Sequence, residues 1–245
     1  MTWQKAEQLY DGKAKRIFAL KGKDGFVLQE FKNQLTAFNA LKKEELEGKG
    51  ELNCLITTSI FKFLADKGVP THFVEKLSST SLVTTKLTMI PLEVVVRNIM
   101  AGSTAKKLGI PEGSSMSKAL VEFYYKKDEL ADPFISDDQA LLLKTVDSQG
   151  ELDELKALGL KVNEALKIFF LTCGIKLVDF KLEFGKNEKG EIVLGDEISP
   201  DSCRLWDEAT NEKLDKDRFR RDLGQVKEKY QDVWNRIQNK WSQYV

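Results

Sequence analysis

Val178-Asp-Phe-Lys-Leu-Glu-Phe-Gly185, a polar turn, and then Ile192-Val-Leu-Gly-Asp-Glu-Ile-Ser-Pro-Asp-Ser-Cys-Arg-Leu-Trp206 make up the stretch from which the rest of the chain can be read. In the first arm Asp179, Lys181 and Glu183 alternate with Val178, Phe180, Leu182 and Phe184. That period of two predicts a strand with one apolar and one charged face. Lys186-Asn-Glu-Lys-Gly190 carries turn chemistry, so a β-hairpin is expected. A two-residue loop at Lys189-Gly190 would set Glu183 directly opposite Asp196, and a longer loop would shift that register. Two carboxylates converging beside Lys181 repel each other unless a cation lies between them. Magnesium suits such a pair, because it is held by one or two carboxylates together with substrate phosphates. The alternative is a solvated outer face of an edge hairpin. Ser199-Pro-Asp-Ser-Cys-Arg204 favours the metal reading, since it places a further acid and an arginine at a strand end.

Working outward, Tyr10-Asp-Gly-Lys-Ala-Lys-Arg-Ile-Phe18 joins a glycine turn to a strand, and a second turn leads into Phe26–Phe31. Lys13 and Lys15 are two apart, so on a strand they share a face that could neutralise a polyphosphate. The segment is not a Walker sequence, and taken alone its default reading is a solvated strand face. Pro91-Leu-Glu-Val-Val-Val-Arg-Asn98 predicts a strand buried on both faces, delivering Arg97 where it leaves the core. Ser103 after Gly102 predicts a helix N-cap, and a helix N-terminus beside an arginine is a ready-made phosphate site, the alternative being an ordinary cap and a surface arginine. Scaffold helices are expected over Glu51–Lys67 and from Gly150 to Gly174, with a capping box starting at Ser136. A final helix is expected to open at Asp215 and carry Phe219, Leu223, Val226, Tyr230, Val233, Trp234, Ile237 and Trp241 on one side, with Arg218, Arg220 and Arg221 near its start.

Composition sets limits on function. The 245 residues suffice for one large domain or a few lobes with a real core. Thirty-eight basic residues balance thirty-eight acidic ones, which argues against nucleic-acid binding driven by a basic field. The N-terminus has no apolar signal core and no apolar run approaches spanning length, so a cytoplasmic protein without membrane contact is expected. Cys54, Cys173 and Cys203 are scattered, as in a reducing compartment. With His72 the only histidine, a multi-histidine metal site is excluded and any metal must rest on carboxylates. His72 itself reads as structural.

Taken together these segments resemble the SAICAR synthetase (phosphoribosylaminoimidazole-succinocarboxamide synthase) family. The resemblance runs through Tyr10–Lys15, Thr36-Ala-Phe38, Gly48-Lys-Gly50, Pro91–Asn98, Ala101-Gly-Ser103, Lys126-Lys-Asp128 with Asp132-Pro133, Val178–Gly185, Leu194–Trp206 and Lys216-Asp-Arg-Phe-Arg220. It implies an α+β, ATP-grasp-like and kinase-like two-lobed fold. The implied parts are an antiparallel N-terminal lobe over 1–88, a central mixed α/β lobe over 89–206 and a C-terminal helical segment over 207–245. Family members join 5-amino-1-(5-phosphoribosyl)imidazole-4-carboxylate (CAIR) to L-aspartate, converting ATP to ADP and phosphate with magnesium. On that basis Lys13 and Lys15 would meet the ATP phosphates with Lys126 nearby, and Ile17, Leu87 and Met89 would enclose adenine. Glu183 and Asp196 would hold magnesium, with Lys181 beside them in the chemistry. Arg97, Ser103 and Arg204 would grip the phosphate and ribose end of CAIR, and Asp201 and Arg220 would line the same cleft. Where many relatives read Ser-Ala-Phe-Asp this chain reads Thr36-Ala-Phe-Asn39; the amide of Asn39 keeps hydrogen bonds for a substrate contact but brings no charge. A homodimer is also implied. Rival readings are a kinase-like phosphotransferase, for which Asp179-Phe180 lacks the following glycine, and a nucleotide-binding module without turnover.

Overall fold

Residues 2–37 and 41–245 are described by a computed structural model. Three strands, β1 (Lys5–Asp11), β2 (Lys15–Leu20) and β3 (Phe26–Phe31), open the chain as an antiparallel meander. A short ribbon of β4 (Gln34–Ala37) and β5 (Lys42–Glu45) leads into helix α1 (Lys49–Asp66). Strands β6 (Phe73–Lys76) and β7 (Ser81–Thr85) then complete a first sheet in the order β1-β2-β3-β7-β6. Lys86 and Leu87 alone connect β7 to β8 (Thr88–Ile99), so the two sheets meet at a tight joint.

The second sheet follows, with α2 (Gly102–Leu108), β9 (Ser115–Tyr125), β10 (Phe134–Ile135), α3 (Asp137–Leu142) and α4 (Gln149–Thr172) preceding β11 (Ile175–Lys186). Strands β12 (Ile192–Leu194) and β13 (Cys203–Asp207) and helices α5 (Asp217–Arg220) and α6 (Val226–Lys240) end the chain. Sheet order is β10-β9-β8-β11-β12, with β13 also paired to β11, and these pairings are antiparallel. The α+β class expected from the sequence is what the structure has.

Alternation along β8 and β11 positions the site. Val94, Val96, Phe180 and Leu182 face the main core, where α4 packs closely because Gly159 approaches Val94 and Val96. Glu93, Val95, Arg97, Asp179, Lys181 and Glu183 face the opposite side and line cavities. Helix α1 contributes Leu52, Ile56, Ile60, Phe61, Phe63 and Leu64 to the same core, which also takes in Tyr230, Val233 and Ile237 of α6.

Three local expectations change. In the hairpin Phe184 pairs with Leu194 and Lys186 with Ile192, one residue out of the two-residue-loop register, because Asn187 N–H donates to the Glu191 carbonyl and closes a longer loop. Ser103 is not the N-cap of α2: Ala101 is, and the Ser103 hydroxyl makes no capping bond. The final helix is two pieces, since Asp222 (φ 56°), Gly224 (φ 67°) and Gln225 (φ 54°) take left-handed conformations that break it between α5 and α6. Phe219 consequently packs with Leu35 and Ala37, while Leu223 is exposed. The Ser136 capping box is present, with Gln139 N–H donating to Ser136 Oγ at 3.2 Å and the return bond from Ser136 N–H to Gln139 Oε1 at 2.8 Å.

Candidate active site

A cleft of about 920 Å³ lies between the two sheets. Its N-terminal wall is the β1–β2 connection, where Gly12 N–H donates to the Lys15 carbonyl at 2.8 Å and a Cβ on Gly12 would meet the Tyr10 ring at 2.8 Å. Lys13 sits in this turn and Lys15 starts β2, so the two do not share a strand face, although both line the cleft. Lys13 is half exposed and pairs with Asp128 at 2.8 Å. Lys15 is buried, pairs with Asp196 and lies 3.3 Å from Glu197. Burial opposes the charge of Lys15, yet Asp196 and Glu197 outweigh it and raise its pKa.

The second sheet brings up the facing wall. Glu183 accepts from Lys126 and from Lys181 at 2.7 Å, and Lys181 also donates to Glu93 at 3.0 Å. Burial works against the Lys181 ammonium, but Glu183, Glu93 and Asp196 together hold its pKa well above the usual lysine range. Asp196 follows β12 with φ 56°, a left-handed turn that swings its carboxylate into the cleft despite the altered hairpin register. Burial would raise its pKa, and Lys15 and Lys181 instead keep it far below the usual carboxylate range. Ile17, Val27, Leu87 and Met89 line the apolar part of the cleft. Gly185 lets Leu87 and Thr88 come close, since a Cβ there would lie 2.8 Å from Leu87 Cβ and 2.9 Å from the Thr88 carbonyl oxygen. His72 is buried edge-on to Phe61, and burial followed by the charge of Lys15 lowers its pKa to about 3.

A smaller cavity of about 380 Å³ adjoins the cleft and is lined by arginines. Arg97 donates to Glu122 at 2.6 Å and to Asp179 at 2.5 Å, and the residue is 4 % exposed. Register creates this cluster, because Asp179 on β11 pairs directly with Arg97 on β8. Arg204 shares Asp179 at 2.8 Å and reaches Asp217 at 3.0 Å, and Asp217 also takes Arg220 at 2.6 Å. Burial opposes both Arg97 and Arg204, but Asp179 with Glu122 or Asp217 raises their pKa values. Gly102 (φ 63°) is needed here, for a Cβ would fall 2.5 Å from the Arg204 guanidinium. Ser103 lines the same cavity. Asp201 lies between the two cavities, but its oxygens are taken by Lys49 at 2.5 Å, Asn53 at 2.8 Å and Tyr230 at 2.7 Å.

The residues expected in the cleft, Lys13, Lys15, Ile17, Leu87, Met89, Lys126, Lys181, Glu183 and Asp196, therefore line one cavity, and Arg97, Ser103, Arg204 and Arg220 line the other. Asn39 lies outside the described residues. Sequence reasoning missed Glu93, Glu122, Asp179 and Asp217 as partners of the site's cations. Asp179 was visible on the charged face of its strand; the others depend on strand register and tertiary approach. For a metal, no group of three or more histidine, cysteine, aspartate or glutamate side chains gathers among the described residues. Glu183 and Asp196 nevertheless form a two-carboxylate set beside phosphate-seeking lysines, which is the donor set that suits magnesium on a polyphosphate.

Two sheets clasping a lysine and carboxylate cleft that opens on an arginine cavity define a two-lobed enzyme class built to hold charged ligands. Residues 8–237 match the family described as SAICAR synthetase. The phosphoribosylaminoimidazole-succinocarboxamide synthase of Nitratiruptor is 54 % identical over 96 % of this chain and 98 % of its own. The crystal structure of the Ehrlichia chaffeensis phosphoribosylaminoimidazole-succinocarboxamide synthase superposes with a TM-score of 0.92 at 46 % identity, covering 96 % of this chain and 99 % of that one. A type-2 SAICAR synthetase in complex with ADP has the same score, identity and coverage. The chain belongs to the SAICAR synthetase family. No helix among the described residues is long and apolar enough to cross a membrane.

Proposed function

We propose that this protein is the ATP-dependent ligase that joins CAIR to L-aspartate, giving SAICAR, ADP and phosphate in purine biosynthesis, by way of an acyl phosphate. The observation that carries the reading is the continuity of a lysine-rich cleft with an arginine-rich cavity: one fits a nucleoside triphosphate and the other a phosphorylated ribosyl substrate. A relative solved in complex with ADP supports the use of an adenine nucleotide.

The chemistry follows from the charges. A carboxylate is a poor electrophile, so it must first be activated. Lys15, Lys126 and Lys181 gather positive charge where a γ-phosphoryl group would pass to the CAIR carboxylate oxygen, breaking the bond to ADP and forming the acyl phosphate. The aspartate amine then attacks the carbonyl carbon, phosphate leaves, and the nitrogen loses its proton as the amide forms. Glu183 and Asp196 would hold magnesium, which neutralises charge on the transferring phosphoryl group. Arg97, Arg204 and Arg220 suit the phosphate and ribose end of CAIR because the planar guanidinium fork matches phosphate oxygens. Their buried acid partners keep those forks in fixed orientation before substrate arrives.

ADP release is the test, measured with ATP, magnesium, CAIR and L-aspartate, omitting each in turn, with the imidazole product identified by mass. Release that requires all four and yields the succinocarboxamide is expected. A phosphorylated hydroxyl product would make the protein a kinase-like transferase, and binding without turnover would make it a nucleotide-binding module.

A further inference from the structure

Three lysines line both cavities at their junction: Lys13, Lys181 and Lys216. Two of them are neutralised, Lys13 by Asp128 at 2.8 Å and Lys181 by Glu93 at 3.0 Å and Glu183 at 2.7 Å. Lys216 differs: among the described residues no carboxylate reaches its ammonium within ion-pair distance. Asp201 acts on it only through space, since that carboxylate is saturated by Lys49, Asn53 and Tyr230. The flanking acids are also committed, Asp215 to the backbone N–H groups of Leu205 and Asp217 at 2.7 Å each, and Asp217 to Arg204 and Arg220.

The position of Lys216 is fixed. It caps α5, its N–H donates to the Pro200 carbonyl at 3.1 Å, and its own carbonyl accepts from Phe219 and Arg220 at 3.0 Å. Burial, together with the like charges of Arg220 and Lys49, lowers its pKa, so an anion placed beside it would relieve an uncompensated cation.

The ligase reading, on which this inference rests, says what that anion is. Activation occurs where the nucleotide cleft meets the arginine cavity, so the acceptor amine must arrive at the same junction. L-Aspartate brings two carboxylates to a place where the other junction lysines are occupied. We propose that Lys216 anchors a carboxylate of the attacking aspartate and thereby selects a dicarboxylic amino acid as acceptor.

Steady-state kinetics of Lys216→Gln and Lys216→Arg test this, with L-aspartate and L-asparagine compared as acceptors at saturating ATP and CAIR. For Lys216→Gln the KM for L-aspartate is expected to rise about 10- to 100-fold, the loss of one hydrogen bond to a charged group, while those for ATP and CAIR stay within about twofold. The preference for L-aspartate over L-asparagine in kcat/KM should collapse by a similar factor, and Lys216→Arg should restore part of it. That ratio is independent of how much of the variant is folded. An unchanged ratio, or a CAIR KM that rises as far as that of aspartate, overturns the proposal. Failure of the wild-type protein to form the succinocarboxamide would instead overturn the ligase reading itself.

Discussion

Glu183 sits between Lys126 and Lys181, with Asp196 on the same wall of the cleft and Lys15 facing it from the first sheet, so one charge removed here unbalances four others. Glu183→Gln is expected to lower ATP turnover at least about 100-fold at low magnesium, as an amide is a weak ligand for a hard cation. Near-normal turnover at low magnesium would remove Glu183 from the metal assignment. Arg97 has a double role, because its guanidinium both lines the arginine cavity and holds Glu122 and Asp179 together in the interior. Arg97→Ala should raise the KM for CAIR far more than that for ATP, and should also cost about 3–5 kcal/mol of stability by leaving the buried Glu122 without its cation and Asp179 with Arg204 alone. Denaturant unfolding beside kinetics separates these effects; an equal rise in both KM values would place Arg97 outside the CAIR site. At this scale the sequence was informative about identity and silent about partners. Lys15, Glu183, Asp196 and Arg204 could be named as site residues, yet that Arg97 meets Asp179 follows from a strand register that the sequence does not state.

Among elements, the joint between β7 and β8 governs the apolar part of the cleft. Gly185 on β11 faces this joint, and any side chain there would push on Leu87 and the Thr88 carbonyl. Gly185→Ala is therefore expected to raise the KM for ATP about tenfold with little change for CAIR, a split visible in the same assays. Unchanged ATP affinity would mean that Leu87 and Met89 do not enclose the base. The alternation of β11, the stripe of α4 and the Ser136 capping box were all legible, because each is a local pattern with one period. Hairpin register was not, since Asn187 chose a loop one residue longer than the shortest turn the sequence allows. Nor was the break between α5 and α6, where the apolar spacing of one helix continues across residues whose backbone turns left-handed to carry Phe219 toward Leu35.

Across the whole molecule, one large core ties α1, α4 and α6 to the second sheet, and Asp215 and Asp217 of the C-terminal segment are buried. Burial, followed by the neighbouring charge of Asp217, raises the pKa of Asp215 to about 7 from 3.8. The folded state thus binds a proton that the unfolded chain has already released between those values. The stabilisation is complete below about pH 3.8 and disappears as pH rises through about 7. Asp215→Asn mimics the protonated acid and removes this linkage. Between pH 5.5 and 8.5 the wild-type Tm should therefore fall by about 5 °C more than that of the variant. Parallel curves would show that Asp215 does not carry the proton.

By itself the sequence determined the α+β class, the family and most of the charged residues that the cleft and the cavity display, because period-two strands, capping signals and a long run of shared motifs are local in the chain. Only the tertiary structure decided which charges neutralise which. The β8–β11 register brought Arg97 to Asp179, the turn at Asp196 aimed its carboxylate at Lys15, and the saturation of Asp201 left Lys216 without a carboxylate partner among the described residues. Pairings between residues a hundred positions apart depend on packing that brings their elements together, and no local pattern encodes that.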